Sequence, residues 1–349
     1  MKQFHRGRGA GDNPANRFEG SYMETDEDFE GFISSPETEF ITDDSDTILS
    51  KNNSPDVPFN YSINPYRGCE HGCVYCYARP THEYLGYSAG QDFESKILIK
   101  RKAPELLKKM LSKNSWEPEI VSISGVTDPY QPVERKEELT RQILRVLTDF
   151  RNPFVIVTKN KLVTRDLDIL SEMSDFNGVK VMVSLTTLDD RLTSIMEPRT
   201  SRPNARLRAI EQLAEAGIPV GVLTAPVIPA LTDHELPKLL QSARNAGAKF
   251  AGYVVLRLPH NLREQFDQWV SEHFPNRRNK ILNRIRELRD GELNETGFGD
   301  RMRGTGEFAD QINQVFHKYR KLYGYDETGP PLSSAHFNRE AAAGQMRLF

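Results

Sequence analysis

The chain has 349 residues, a formal net charge of −3 and three cysteines, all within residues 69–76. Three clustered cysteines do not build the disulfide framework of a secreted protein. No segment approaches the ~18 apolar residues of a membrane span, and the first residues lack the apolar core of a signal peptide. We therefore predict a cytoplasmic protein without a membrane segment, and the overall charge predicts no polyanionic partner.

Residues 1–57 differ in composition from the rest of the chain. They begin with the basic, glycine-rich run RGRGAG and continue into an acidic stretch over residues 23–46 without aliphatic periodicity. Segments of high charge and low hydrophobicity bury too little apolar surface to hold a fixed conformation. We therefore predict an N-terminal leader that is largely flexible.

Residues 58–260 alternate between short β-rich runs and helical segments. The predicted strands cover residues 119–124, 153–158, 179–185, 218–224 and 250–256, and an extended segment precedes the cysteines. Apolar strands separated by helices indicate the parallel sheet of an α/β protein, here with about six β-α units. Such sheets carry their functional groups at the carboxyl ends of the strands. The pattern alone fits an open sheet as well as a full or partial barrel.

The cysteines lie in the run CEHGCVYC, with the spacing C-x3-C-x2-C. Thiolates and imidazoles bind soft metals, so the candidates are zinc and an iron–sulfur cluster. Zinc needs a fourth ligand, for which His71 and His82 are available, but His71 lies inside the loop that the cysteines wrap. Three thiolates suit a cubane cluster whose fourth iron stays open for another molecule. We therefore favour an iron–sulfur cluster on Cys69, Cys73 and Cys76.

The same run resembles the radical S-adenosylmethionine (SAM) superfamily, whose signature is C-x3-C-x-aromatic-C. The resemblance implies a (β/α)6 partial barrel in which the three cysteines hold a [4Fe–4S] cluster and SAM binds its fourth iron. It also implies that an electron from an external donor cleaves SAM to methionine and a 5′-deoxyadenosyl radical, which abstracts hydrogen from substrate. Tyr75, the aromatic residue before the last cysteine, would lie near the adenine of SAM.

Within this superfamily, residues 59–260 resemble the spore photoproduct lyase-like branch. The shared features are a Tyr-Cys-Tyr run at residues 75–77, a hydroxyl–Asp pair at Thr127 and Asp128, Lys159 and Ser184. The last four positions fall at the carboxyl ends of predicted strands. The resemblance implies that they bind the ammonium, ribose and carboxylate groups of SAM. The alternatives are a turn or helix cap for the Thr-Asp pair and a surface charge for the lysine.

One position departs from this branch. The lyase has a hydrogen-donating cysteine immediately before the hydroxyl–Asp pair, whereas this chain has Val126 and no further cysteine. We therefore do not expect repair of thymine dimers by the lyase's route, although we expect SAM cleavage. Tyr77 is the candidate catalytic residue, because its phenol beside the cluster motif is suited to relay hydrogen. The alternative role for Tyr77 is a wall of the pocket.

Residues 261–337 form a predicted helical extension that is partly basic. Its positive side chains are Arg277, Arg278, Lys280, Arg284, Arg286 and Arg289 in one helix, then Arg301 and Arg303 in a glycine-rich loop. With Tyr319, Tyr323 and Tyr325 downstream, this segment is suited to grip a phosphate backbone and to stack on bases. The alternative is a solvated helix face, because acidic residues are interspersed.

Residues 338–349 form a predicted flexible tail that ends in AAAGQMRLF. This ending resembles the Q-L-x-L-F peptide by which bacterial proteins bind the DNA polymerase sliding clamp. Gln345, Leu348 and Phe349 hold the matching positions, and Met346 replaces a leucine. An amide and two large apolar side chains suit a preformed apolar pocket. The alternative is a tail that folds back on the protein.

These features leave three functions open. The first, favoured by the tail and the lyase resemblance, is a radical SAM enzyme that acts on DNA in repair or damage processing. The second is radical SAM modification of RNA or protein. The third is a clamp-associated iron–sulfur protein without enzymatic activity. The SAM-binding residues favour the first two functions, because a structural cluster would be expected to have a fourth protein ligand.

Overall fold

A seven-stranded sheet forms the centre of the fold in the computed structural model, which describes residues 7–18, 37–123 and 125–340. Within these residues the strands are β1 (Glu39–Thr42), β2 (Leu49–Lys51), β3 (Tyr61–Ile63), β4 (Tyr66–Arg67), β5 (Lys96–Ile99), β6 (Val121–Ile123), β7 (Phe154–Thr158), β8 (Val179–Ser184), β9 (Val220–Val227) and β10 (Phe250–Val255). The order in the large sheet is β10-β9-β8-β7-β6-β3-β2. The strands from β10 to β3 run parallel, and β2 is antiparallel to β3.

The six parallel strands confirm the α/β fold expected from the sequence. Their central side chains, such as Ile123, Ile156 and Val181, are buried because helices cover the sheet. All five strands predicted from apolar runs are present, with ends that differ by up to three residues. β10 and β2 are the edge strands, so the sheet stays open, as in a partial barrel.

Helices connect the parallel strands and continue beyond β10. Within the described ranges they are α1 (Asp92–Ser95), α2 (Ala103–Leu111), α3 (Glu134–Glu137), α4 (Leu139–Asp149), α5 (Leu167–Ser174), α6 (Asp190–Met196), α7 (Pro203–Glu215), α8 (Leu236–Asn245), α9 (Leu262–His273), α10 (Arg278–Glu287) and α11 (Gly306–Leu322). Short 3-10 helices cover Arg79–Leu85, Lys161–Asp166, Asp233–Glu235, Pro275–Arg277 and Asp300–Met302. α4 shows why these segments pack, since Leu139, Ile143 and Leu147 recur on its one buried face. None of the described helices is long and apolar enough to cross a membrane.

Much of the predicted leader is built into the fold. β1 pairs with β5, and β2 pairs with β3 at the edge of the large sheet. The backbone N–H groups of Gly9 and Ala10 donate to the carboxylate of Glu94 (2.9 and 2.8 Å). The described parts of residues 1–57 therefore make specific contacts with the core, while the largely flexible leader stays a prediction. Composition does not reveal such contacts, because backbone groups make them with residues 84 and 85 positions away.

The C-terminal extension links the two edges of the sheet. On one side, the Arg303 side chain donates to the carbonyl of Tyr253 in β10 (2.8 Å). On the other side, the Gly299 N–H donates to Asp56 in the loop between β2 and β3 (2.7 Å). The segment at residues 299–303 thus spans the open side of the partial barrel.

Candidate active site

The three cysteines lie in a loop that follows β4. The Cys69 N–H donates to the Phe93 carbonyl (2.8 Å), and Gly72 has a left-handed φ of +64°. A Cβ at Gly72 would lie 2.6 Å from the Glu94 carboxylate, so this turn requires glycine. All three thiols are free; two are buried and the third is partly exposed. The shape of the loop is therefore set by buried backbone contacts.

The thiols affect one another electrostatically. Burial raises the pKa of all three, and for Cys69 the charges of Asp128, Cys73 and Cys76 raise it further. The thiols are thus close enough to repel one another as thiolates. The backbone N–H groups of Asp128 and Arg79 donate to the sulfurs of Cys69 and Cys76 and favour the thiolates. Neighbouring thiolates that accept N–H hydrogen bonds suit an iron–sulfur cluster.

Neither nearby histidine completes a zinc site. The His71 Nδ1 lies 3.4 Å from the Asp128 carboxylate, and its Nε2 lies 3.3 Å from the amide of Asn160. His82 is buried, with its ring edge-on to Phe93. His71 is therefore engaged with Asp128 and Asn160 and is not free to be the fourth ligand that a zinc ion needs.

Asp128 holds the ends of two strands together. Its carboxylate accepts hydrogen bonds from the Thr158 hydroxyl (2.8 Å), the Lys159 N–H (2.7 Å) and the Tyr130 N–H (2.9 Å). Burial alone would raise the pKa of Asp128, but His71 and these N–H groups lower it to about 2. The carboxylate is therefore an anion that joins the carboxyl end of β6 to that of β7.

Thr127 is also engaged within the protein. Its hydroxyl donates to the Tyr66 carbonyl (3.0 Å), and its N–H points at the Asn64 side chain (3.4 Å). The hydroxyl–Asp pair thus lies at a strand end, as predicted, but its side chains position neighbouring backbone. The turn interpretation that the sequence left open describes these contacts.

Tyr75 belongs to a buried charge network that the sequence did not reveal. Its hydroxyl donates to Glu197, which also forms an ion pair with Arg206 and accepts from Thr186 (2.8 Å). Burial alone would raise the pKa of Glu197, but Arg206 and Lys159 lower it to about 2. Glu197 follows the short helix α6 instead of a strand, so no strand-end rule identifies it. The network fixes the ring of Tyr75 beside Cys73.

Lys159 lies over this network. Its Nζ is 5.9 Å from the centre of the Tyr75 ring, and its charge lowers the pKa values of Cys73, Cys76 and Glu197. Lys159 is half-buried. It faces the cysteine loop from the carboxyl end of β7.

Ser184 ends β8 with a hydroxyl that lacks a partner. The Oγ is buried and makes no hydrogen bond within the described residues. Leaving a buried polar group unpaired costs about 1–3 kcal/mol, so native structures rarely leave one without a ligand or water. The Ser184 hydroxyl is therefore available to a bound polar group.

Tyr77 is half exposed. Its hydroxyl donates to the Gly125 carbonyl (2.6 Å), yet 49% of the residue is exposed. Burial and the nearby Cys76 raise the pKa of Tyr77 to about 12. The exposed part of the ring is accessible to a ligand. The Tyr77 phenol is protonated at neutral pH.

Sequence comparison agrees with this arrangement. The family model described as the radical SAM superfamily matches residues 63–243, from the end of β3 into α8. The chain belongs to the radical SAM superfamily. It is a radical SAM enzyme, as the cysteine spacing predicted.

Relatives of this radical SAM enzyme occur in bacteria and archaea. The chain is 35% identical over 286 residues to an uncharacterised protein of Mycobacterium tuberculosis, which covers 81% of each chain. It is 33% identical over 175 residues to an uncharacterised protein of Methanocaldococcus jannaschii, or 50% of this chain and 63% of the other. Among solved structures, it is similar to spore photoproduct lyase complexed with dinucleoside spore photoproduct. That match has a TM-score of 0.56 and 16% identity, covers 82% and 80% of the two chains, and shows the fold.

The cofactors of this radical SAM enzyme are a [4Fe–4S] cluster and SAM. The residues present fit both groups. The three thiols are neighbours, and those of Cys69 and Cys76 accept N–H hydrogen bonds. The unpaired Ser184 hydroxyl and the Lys159 charge lie at the carboxyl ends of adjacent strands. When bound, the two cofactors supply one-electron cleavage of SAM, which starts hydrogen abstraction. The protein supplies the orientation.

Arg257 is a second feature that the sequence did not reveal. It follows β10, and its guanidinium lies 5.3 Å from the centre of the Tyr77 ring. Its Nε is buried without a hydrogen-bond partner among the described residues, and burial and the neighbouring Arg301 lower its pKa. The place of Arg257 beside Tyr77 depends on the three-dimensional course of the sheet, because the two residues lie 180 positions apart in the chain.

The predicted basic helix is only partly available to a ligand. Arg278 pairs with Asp267, and Arg284 pairs with Glu287. Arg289 is buried and donates to the Leu256 carbonyl (2.8 Å). Much of the positive charge of this helix is thus used within the protein. The clamp-like ending, Gln345 to Phe349, lies outside the described residues.

Proposed function

We propose that this radical SAM enzyme acts on DNA, in repair or damage processing. Cys69, Cys73 and Cys76 hold the cluster. Ser184 and Lys159 bind polar groups of SAM; the support is the unpaired Ser184 hydroxyl and the Lys159 charge that faces the cysteine loop.

The remaining SAM-site residues act largely through their contacts. The ring of Tyr75, fixed by Glu197, packs near the adenine. Asp128 and Thr127 hold the strand ends that surround SAM. This division of roles follows from which side-chain atoms already have protein partners.

The observation that carries the DNA assignment is the group around Tyr77. Arg257 lies over the Tyr77 ring with its Nε unpaired among the described residues. Arg301 nearby pairs with Asp56, and Phe298 beside Arg301 is 61% exposed. Cations bind phosphates, and exposed aromatic rings stack on bases. Both kinds of group are present at the open side of the partial barrel. The similar fold of spore photoproduct lyase, described with a bound dinucleoside, supports the same substrate class.

We further propose that the tail delivers the enzyme to DNA by binding the replication sliding clamp through Gln345, Leu348 and Phe349. The support is the sequence of the tail itself. A five-residue motif gives modest affinity, so delivery relies on the core's own DNA contacts acting together with it.

The experiment is anaerobic reconstitution with iron, sulfide, SAM and a chemical reductant. We expect damaged DNA to increase 5′-deoxyadenosine formation. Arg257→Gln should raise the KM for DNA about 10-fold. It should also reduce the slope of log affinity for DNA against log salt concentration by about one, because one phosphate contact is lost. Lys113→Gln removes a charge from an exposed residue elsewhere and should leave both values unchanged. Stimulation by RNA or a protein extract, with none by DNA, would contradict the DNA assignment and favour the second function.

Tyr77→Phe tests the hydrogen relay. Val126 packs against the apolar group around Cys69 and Cys76, and it holds the position where the lyase branch has its hydrogen-donating cysteine. The Tyr77 hydroxyl donates a hydrogen bond to the carbonyl of Gly125, which precedes Val126. We expect Tyr77→Phe to lower the rate of product formation 100-fold or more. Iron content and SAM affinity should stay unchanged, because only the hydroxyl is removed. Unchanged turnover would assign Tyr77 to the pocket wall.

A further inference from the structure

Two adjoining cavities lie beside α3, α7 and the 3-10 helix Lys161–Asp166. Their volumes are about 340 and 300 Å³, and Arg135, Lys161 and Arg208 line both of them. Arg199 and Arg202 add to the second cavity. No acidic residue lines either cavity.

The positive charge of these cavities is largely unneutralised. Arg135, Lys161 and Arg208 are exposed and form no ion pair within the described residues, whereas Arg199 pairs with Glu70 (3.4 Å). The chain as a whole has a net charge of −3, so the sign of this surface is opposite to that of the whole protein. A concentrated field of this kind attracts and orients anionic partners.

The second cavity is linked to the cysteine loop through two of its lining residues. Its wall includes Asn160 and Arg199. The Asn160 amide lies 3.3 Å from the His71 ring, and the Arg199 N–H donates to the His71 carbonyl (3.3 Å). His71 lies midway between Cys69 and Cys73. The basic surface is therefore separated from two cluster ligands by a single turn of the loop.

This surface differs from the one around Tyr77. Tyr77 lies at the other end of the cysteine loop, and its neighbour Arg257 follows the edge strand β10. The cavities instead lie beside residues that follow β6, β7 and β8, in the middle of the sheet. The cysteine loop thus has one side toward the open edge and another toward the basic cavities.

We propose that the surface of Arg135, Lys161 and Arg208 docks an acidic protein that carries single electrons and reduces the cluster. In this step the carrier loses one electron and the cluster gains one, and no bond or proton is transferred. The inference rests on the cluster chemistry of the family and not on the proposed DNA substrate. Several separated cations match a carboxylate-rich protein surface, and such complementarity mainly accelerates association.

The test uses reduced plant-type ferredoxin as the acidic carrier and Arg135→Glu/Arg208→Glu as the variant. Both arginines are exposed and unpaired in the described structure, so the fold should be retained. We expect cluster reduction by ferredoxin, followed by stopped-flow absorbance, to slow at least 10-fold at low salt and to lose its salt dependence. Calorimetric binding of oxidised ferredoxin should weaken in parallel. Cluster reduction by dithionite, which needs no docking, should not change.

Lys318→Glu/Lys321→Glu is the matched control. It makes the same change in net charge on exposed residues of α11 and should reduce at the wild-type rate. Equal slowing in both variants would overturn the proposal, since it would report only net charge. Arg135→Glu/Arg208→Glu could instead be reduced by ferredoxin at the wild-type rate but bind a single-stranded oligonucleotide more weakly. That result would overturn the proposal and indicate that the surface binds nucleic acid.

Discussion

Glu197→Ala should lower the free energy of unfolding by about 3–5 kcal/mol, because it leaves the buried guanidinium of Arg206 without its anion. Tyr75 and Thr186 would also lose their hydrogen-bond acceptor. Chemical denaturation of the apoprotein measures this effect without any contribution from the cluster.

Two further variants separate the buried ion pair from surface charge. Glu287→Ala breaks the exposed pair with Arg284 and should cost less than about 1 kcal/mol. Glu197→Leu with Arg206→Met removes both buried charges and should recover much of the lost stability. A cost for Glu197→Ala as small as that for Glu287→Ala would show that the buried network is not a structural unit.

The same network makes the stability of the folded protein depend on pH in the acid range. The pKa of Glu197 is about 2 in the folded protein, against an ordinary value of 4.5. A carboxylate with a lowered pKa stabilises the folded state fully above its ordinary pKa, and this stabilisation is lost as pH falls toward the folded value. Wild-type stability should therefore fall between about pH 4.5 and 2, and Glu197→Gln should show a smaller fall in that range.

The sequence predicted the elements whose signal is local. Strands such as β7 and β8 are continuous apolar runs, and a parallel sheet requires such runs because both of its faces are covered. The cysteine loop is also local, since all three thiols fall within a single turn-rich segment. Lys159 and Ser184 could be placed because each directly follows or ends a strand.

The residues that the sequence did not predict have distant partners. Arg257 gains its role from Tyr77, 180 positions earlier, and only the folded chain brings the two together. Glu197 is one acidic residue among many until the fold buries it against Arg206 and Tyr75. The contacts of the N-terminal segment are hidden for the same reason, because its charge pattern does not show that Glu94 binds its backbone.

Glu94→Ala should disrupt the cysteine loop, because Glu94 holds the arginine that binds the loop backbone. The Glu94 carboxylate is fully buried, pairs with Arg79 and accepts the N–H groups of Gly9 and Ala10. Arg79 in turn donates to the Cys73 carbonyl (3.0 Å). Removing Glu94 leaves Arg79 buried without its anion, which costs about 3–5 kcal/mol.

The N-terminal segment and the cluster should therefore respond together to Glu94→Ala. We expect trypsin to cut at Arg8 and Arg17 at least 10-fold faster, because residues 7–18 lose their docking site, and iron content after reconstitution to fall. Glu94→Gln keeps an acceptor oxygen and a similar volume, so it should retain part of both properties. Protection of Arg8 together with full iron content in Glu94→Ala would show that the N-terminal segment and the cysteine loop are held independently. The Glu94 carboxylate contacts both the N-terminal segment and Arg79, and it therefore links this segment to the cysteine loop.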